Sequence, residues 1–252
     1  MEGLQERTAL VTGASGGIGS AIARAYARQG MRVAVHFNTS EDAARRTLAE
    51  LEGDGHLLVQ ADVAEPESIR RMIAETVAAF GRLDVLVNNA GIYELGPFDM
   101  ADYAAWQTHW QHTLDINLMS AANATYCALP VMKAQGGGKV INVASRAAFR
   151  GETEAPAYAV SKAGMISLTR CLARAEAKNG ILSYGIAPGW VETAMAREGM
   201  ETMAEEILAQ IPLGRIATVE DVAGVALFLA SDAANYLTGI TILVAGGSWW
   251  TT

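Results

Sequence analysis

Charge is scarce in this chain. Only 18% of its 252 residues are Asp, Glu, Lys or Arg, against 51% apolar, a balance that excludes a disordered chain or a coiled coil. Positive charge is scarcer still: 19 Lys plus Arg face 27 Asp plus Glu, a net of −8. Long-range attraction therefore does not draw the chain to nucleic acid or to an anionic membrane. Cysteine is almost missing. Cys127 and Cys171 each lie in an apolar periodic stretch, which predicts two buried free thiols and no disulfide framework. No apolar run reaches the length of a membrane span. The most prominent, Val222 to Ala230, is bounded by Asp221 and Ser231 and contains Gly224. Met1 to Arg7 lacks the basic flank and apolar core of a secretory signal, so the expected compartment is the cytoplasm. There is no internal repeat, charge block or Pro/Ser-rich linker.

What the chain does have is alternation. Short apolar runs at Thr8–Thr12, Arg32–Phe37, His56–Ala61, Leu83–Asn88, Lys139–Ala144, Ile181–Ala187 and Ile240–Val244 read as strands. Between them lie helical stretches at Ile18–Gln29, Glu41–Glu52, Pro66–Phe80, Tyr103–Lys133 and Ala157–Ala177. Pro66 suits a first helical position and Gly30 a helix end. Such alternation predicts an α/β fold, a doubly wound parallel sheet of about seven strands with helices on both faces. The strands are continuous apolar runs, as expected where both faces are covered. Length allows one or two domains; the unbroken pattern favours a single dinucleotide-binding domain over residues 1–252. Thr193 to Leu213 is the least regular and Met-rich part, expected to form a mobile flap.

Four constellations carry chemistry. Thr12-Gly-Ala-Ser-Gly-Gly-Ile-Gly19 joins the first strand to the first helix, with Gly13, Gly17 and Gly19 in a G-x-x-x-G-x-G spacing. Glycines there let backbone N–H groups approach a pyrophosphate at a helix N-terminus; alone, the segment also reads as a plain glycine-rich turn. Asp62-Val63 follows the third strand, where a carboxylate accepts from an adenine amino group or merely from its own turn. Asn88-Asn-Ala-Gly91 ends the fourth strand and is equally compatible with a ligand contact or an Asn-rich turn. The decisive one is Tyr158-x-x-x-Lys162 within a helix, one turn apart on one face. A free tyrosine titrates near ~10, and a neighbouring ammonium favours its phenolate and is expected to lower that value. Ser145, thirteen residues upstream, follows the fifth strand and offers a hydroxyl to a substrate oxygen.

Together these residues, with Asn117 and Pro188-Gly189, fall in an order and spacing that resemble the short-chain dehydrogenases/reductases over nearly the whole chain. The resemblance implies a hydride transfer between a nicotinamide and a carbonyl or secondary alcohol. It makes Tyr158 the general acid or base, Lys162 the ribose ligand that tunes it, Ser145 the group orienting the carbonyl, and Asn117 the holder of a relay water. It implies cofactor contacts from Gly13, Ser15, Gly17, Ile18 and Gly19, from Asp62 and Val63 at the adenine, and from Asn89, Ala90 and Gly91 at the adenosine ribose. Pro188, Gly189, Val191 and Thr193 would close over the nicotinamide. A non-catalytic nucleotide-binding scaffold on the same fold is the alternative, but it would be expected to lack Tyr158, Lys162 or Ser145.

The choice of nicotinamide is expected at the end of the second strand. His36-Phe-Asn-Thr-Ser40 places no acid where an NAD enzyme holds the ribose 2′-hydroxyl, and Asn38, Thr39 and Ser40 offer neutral donors to a 2′-phosphate. This favours NADP(H), with NAD(H) the alternative. The family's usual Val-Asp-Gly-Gly near the C-terminus is Val244-Ala-Gly-Gly247 here. A substrate pocket is expected from Tyr93, Ala147, Phe149, Trp190 and Met195, mostly apolar and with little basic charge. His109 and His112 share a helix but lack a third ligand, so no metal is expected. Trp249-Trp250 is expected to dock on its own domain or on a neighbouring subunit. The resemblance favours a homotetramer.

Overall fold

The computed structural model describes residues 3–196 and 203–248. Seven parallel strands, β1 (Thr8–Val11), β2 (Arg32–Phe37), β3 (Leu57–Gln60), β4 (Val85–Asn88), β5 (Gly138–Val143), β6 (Ile181–Pro188) and β7 (Thr241–Val244), form one sheet in the order β3-β2-β1-β4-β5-β6-β7. The order reverses between β1 and β4. Crossovers leave to opposite faces on either side of that point, so a crevice opens beyond the carboxyl ends of these two strands.

The helices are α1 (Gly17–Ala27), α2 (Glu41–Ala49), α3 (Pro66–Phe80), α4 (Tyr103–Leu114), α5 (Ser120–Ala134), α6 (Ala147–Arg150), α7 (Pro156–Glu176), α8 (Ala204–Ala209) and α9 (Val219–Ala230). One core packs Ile22 and Tyr26 of α1 and Val222 and Leu229 of α9 on the sheet; the other packs Ile69, Met72 and Ile73 of α3 with Ala128 and Met132 of α5. β1 and β4 are buried at every position, which is why they read as unbroken apolar runs. Each large aliphatic side chain so buried contributes about 1.5–3 kcal/mol. Buried hydroxyls find carbonyls, Tyr26 on Ala226 at 3.1 Å and Tyr184 on Ala234 at 2.9 Å. Lys139, buried at the start of β5, donates to the Leu229 and Ser231 carbonyls at the end of α9.

Two expectations are corrected. The long helix predicted from Tyr103 to Lys133 is two helices joined by a π-turn, Asp115–Met119; apolar periodicity does not register one extra residue in a turn. The cysteines are free, but Cys171 is exposed and Cys127 half-buried. On α7 the buried stripe passes through Thr169, Leu172 and Ala173, and Cys171 stands off it. The described part of Thr193–Leu213 contains a 3-10 turn (Ala194–Ala196) and α8, whose Ile207 is buried. Residues 197–202, and Trp249-Trp250, lie outside the described residues. No described helix is long and apolar enough to cross a membrane.

Candidate active site

The glycine segment sits at the β1/β4 crevice. Thr12 is its hub: its hydroxyl accepts from the Asn89 and Ala90 N–H groups at 2.9 and 3.0 Å. The Asn89 amide donates to the carbonyls of Thr12 (2.8 Å) and Gly13 (3.2 Å). Gly13 has φ +64°, and a Cβ there would stand 3.0 Å from Ala90 Cα. At Gly19 a Cβ would lie 2.4 Å from the Gly13 carbonyl oxygen. The chain is thus drawn as close as glycine permits. α1 begins after Gly16 with no side-chain cap and no acid in its first turn, so its first N–H groups point into the crevice unclaimed. Ser15 and Ile18 are half-buried beside them. Thr193 reaches across, 3.5 Å from where a Cβ on Gly17 would stand.

His36 is a site residue with no separate sequence signal. Its buried imidazole accepts from the Gly13 N–H at Nδ1 (2.9 Å) and pairs with the Ala61 carbonyl through Nε2 (3.0 Å). Only the neutral Nε2–H tautomer satisfies both. Burial lowers its pKa below the ordinary 6.5, against smaller raising effects of Ala61 and Asp62. The unfolded chain therefore takes up a proton below about pH 6.5 that the folded chain resists, and the stability His36 contributes is lost as pH falls through that range. A protonated Nδ1 would confront the Gly13 N–H. Dinucleotide affinity is thus expected to hold through about pH 6.5 and to weaken only at lower pH, where the folded imidazole takes up its proton, and His36→Asn to flatten that dependence; titrations of cofactor fluorescence across pH read both.

Along the rim, Asp62 is exposed and spends Oδ1 on its own turn, accepting from the Ala64 N–H at 2.9 Å. Val63 turns into the core. Asn38, Thr39 and Ser40 are exposed, and none uses its side chain in a hydrogen bond among the described residues. Asn88 faces inward, donating to Asn142 (2.8 Å), which donates to Thr169 (2.9 Å).

At the end of β5, Ser145 accepts from the Ala147 N–H (3.1 Å) and is hydrogen-bonded to the Tyr158 side chain. Tyr158 is half-buried, its ring edge-on to Tyr93 at 5.0 Å. Burial pushes its hydroxyl above 10, and the Ser145 hydrogen bond works the other way. This corrects the expectation of a lowered value. The reason lies in Lys162, whose Nζ donates to the Val143 carbonyl (2.9 Å) and lies 5.8 Å from the Tyr158 ring centroid. Burial lowers Lys162 itself to about 8. Asn117, in the π-turn, clamps the Ile92 backbone from both sides, accepting at 2.8 Å and donating at 3.0 Å. It also donates to Ser161 Oγ (3.1 Å), which donates to the Tyr158 carbonyl (2.6 Å). A Cβ on Gly91 would stand 3.0 Å from Asn117 Oδ1 and 3.2 Å from Lys162 Nζ. Ser145, Tyr158, Lys162, Asn117 and Gly91 therefore converge. Ser161 joins them without a sequence signal; nothing in its neighbourhood along the chain separates it from an ordinary helical serine.

The Pro188 carbonyl accepts from the Arg146 N–H (2.9 Å), and Gly189 donates to Val244 (2.9 Å). Val191 is buried and bridges to Ala217. Gly246, in the turn that lacks the family's Asp, has φ +57° and packs against Ile211. Of the expected pocket residues, Tyr93 meets Tyr158, Ala147 is buried at the start of α6, and Met195 is exposed. Phe149 instead packs on the Met165–Ile166 cluster. Trp190 lines a cavity of about 170 Å³ with Ile211, Leu213 and Val244. Beside it Arg146 is buried against Trp190, its Cζ 5.6 Å from the ring centroid. No group of metal-ligating side chains occurs among the described residues; His109 instead approaches Glu94 at 3.6 Å.

A family profile described as enoyl-(acyl carrier protein) reductase matches residues 13–248. The chain belongs to the short-chain dehydrogenase/reductase family. It is 39% identical to the 3-oxoacyl-[acyl-carrier-protein] reductase FabG of Staphylococcus aureus over 245 residues, 96% of this chain and 98% of that protein. It is 39% identical to a 3-oxoacyl-[acyl-carrier-protein] reductase of Synechocystis sp. over 250 residues, 98% of each. Nodulation protein G of Azospirillum brasilense is 34% identical over 246 residues, 97% of this chain and 98% of that protein.

Proposed function

We propose that this chain is an NADP(H)-dependent oxidoreductase that moves a hydride between nicotinamide and a carbonyl carbon or its secondary alcohol, with Tyr158 handling the proton. The observation that carries the reading is the pairing of Ser145 with Tyr158 and the position of Lys162 between the Tyr158 ring and Gly91, beside the crevice where the sheet order reverses. The residues present fit a dinucleotide: α1 leaves its first N–H groups uncapped, and a Cβ at Gly13 or Gly19 would intrude on the cradle. When bound, the nicotinamide supplies or accepts the hydride. Ser145 holds the substrate oxygen by hydrogen bond, and Tyr158 gives that oxygen a proton in reduction or takes one in oxidation. Lys162, fixed by the Val143 carbonyl, holds the ribose and favours the phenolate as it forms. Asn117 keeps the Ile92 backbone and, through Ser161, the Tyr158 carbonyl in place, and holds the relay water with what hydrogen-bonding capacity remains.

The cofactor preference follows from Asn38, Thr39 and Ser40, exposed and uncommitted after a strand that ends in buried Phe37. No carboxylate stands at Phe37 to repel a 2′-phosphate. Hydrogen bonds to a charged group contribute about 1.5–3 kcal/mol, so the KM for NADPH is expected at least about tenfold below that for NADH. Initial rates with both cofactors test this, and equal constants or a preference for NADH overturn it. One domain carries both sites in this reading, and the enzyme works in the cytoplasm.

Phe98, Tyr103, Met119 and Tyr126 are exposed along α4, its approach, the π-turn and α5. Aromatic surface of that extent supports burial against a second copy of the chain. A homotetramer is expected; sedimentation should give about four times the 26.6 kDa chain mass, and a monomer would refute it.

A further inference from the structure

Three cations are buried among the described residues: Lys139, Arg146 and Lys162. Two are satisfied. Lys139 donates to the Leu229 and Ser231 carbonyls, and Lys162 to the Val143 carbonyl. Arg146 is the exception. It is 7% exposed, yet none of its side-chain N–H donors meets an acceptor among the described residues. Glu152, an acid that acts on it, is held by both oxygens on Arg150 at 2.9 and 3.0 Å.

The course of the side chain is well defined. Arg146 follows Ser145, and its N–H is bound to the Pro188 carbonyl. Its Cδ passes 3.7 Å from where a Cβ on Gly189 would stand, and its Cζ lies 5.6 Å from the Trp190 ring centroid. The guanidinium thus crosses from the end of β5 over the end of β6 and lies over the indole. The Trp190 indole N–H is buried without a partner among the described residues. Two neighbouring residues, one of them charged, therefore hold N–H donors without an acceptor among the described residues, between the Ser145 loop and the Pro188–Thr193 loop. An unpaired buried charge costs stability, and a planar fork of N–H groups matches a carboxylate through two parallel hydrogen bonds.

We propose that Arg146, with the Trp190 N–H beside it, binds a carboxylate carried by the substrate, so that the enzyme acts on an oxo acid or its hydroxy acid in preference to a neutral ketone or ester. The inference rests on the carbonyl reading above and names its substrate class. Arg146 is a specificity residue in this scheme; the proton and hydride chemistry stays with Tyr158 and the nicotinamide.

The test uses the full-length protein with matched probes: acetoacetate and its methyl ester, and 4-oxopentanoate and its methyl ester. Initial rates with NADPH are paired with calorimetric titration of the two acids into protein saturated with NADP+. The wild type is expected to favour acid over ester by at least about tenfold in kcat/KM, and to bind at least one acid. Arg146→Met should bring the ratio toward one and abolish acid binding, while Arg146→Lys, with charge but no fork, restores part of both. Because Met removes an unpaired buried charge, its Tm is expected to equal or exceed that of the wild type. Acids and esters handled alike by the wild type, an equal loss of both in Arg146→Met, or a marked fall in Tm pointing to a structural arginine would each overturn the proposal. If an acid binds through Arg146 but no carbonyl compound is reduced, the reaction reading fails and the anion site stands. Reduction without acid preference leaves the reaction standing and removes the anion site.

Discussion

Tyr158→Phe is expected to lower turnover by about 10²–10⁴-fold, the usual contribution of a positioned acid or base, while dinucleotide affinity stays within about threefold. The substitution removes one oxygen. The ring keeps its edge-on contact with Tyr93 at 5.0 Å, and the Tyr158 carbonyl keeps its hydrogen bond from Ser161. Ser145 retains the Ala147 N–H. Loss of rate therefore reports the missing proton donor and not a displaced helix. Measuring kcat by nicotinamide absorbance and Kd by cofactor fluorescence separates the two, and a variant that turns over like the wild type removes Tyr158 from the mechanism. The same hydroxyl fixes a pH asymmetry. Burial holds it above 10, so the proton needed for reduction is present throughout the neutral range, whereas alcohol oxidation needs the phenolate. Oxidation is expected to accelerate into alkaline pH, and reduction to be steady near neutrality.

Gly19→Ala should have the largest effect on the cradle. Its Cβ would lie 2.4 Å from the Gly13 oxygen and 2.6 Å from Asn89 Nδ2. The first contact is backbone, which no rotamer change relieves, and the second is the amide holding the carbonyls of Thr12 and Gly13. Forced overpacking costs about 1–3 kcal/mol, and the distortion falls on the segment proposed to take the pyrophosphate. We expect a Tm several degrees lower and NADPH affinity weakened by at least about tenfold. Gly16→Ala is the control, because a Cβ at Gly16 has nothing within 4 Å and its φ of −177° is ordinary extended backbone. Equal affinities in the two variants would show that close approach at Gly19 is not what the loop requires.

Where residues speak through period or spacing, the sequence is readable. All seven strands stand out as apolar runs, because a parallel sheet covered on both faces leaves no polar alternation to confuse them. The helix Pro66–Phe80 is bounded legibly by its first-position proline and by Gly81, which adopts φ +78°. The limits lie where geometry depends on partners distant in the chain. Without the family's pattern Asn117 looks like any polar residue inside a helix; its purpose becomes visible only through Ile92, 25 positions away, and Ser161, 44 away. His36 reads as part of an apolar strand, and only folding brings Gly13 and Ala61 to its two nitrogens. Arg146 draws no notice along the chain because an arginine after a strand is ordinarily solvated, and nothing local reveals that Trp190 covers it. The Tyr158 shift runs against expectation for a related reason: i,i+4 spacing gives proximity, but the Val143 carbonyl decides where the lysine ammonium points.

The bridge between Val191 and Ala217 has a consequence for how such an enzyme changes. Glu192 N–H donates to Ala217 O, and Ala217 N–H donates to Trp190 O, so the chain departs and returns at adjoining points. Further along, Leu213 N–H is fastened to Gly246 O. The described residues between, 192–196 and 203–216, leave and return through a clasp at their base. Doubling the length of such an excursion costs only about 0.6 kcal/mol in closure entropy, and none of its described residues belongs to the sheet ladder. Insertions and exchanges there can reshape what the enzyme accepts while the clasp keeps strand register and the proton-transfer groups as they are.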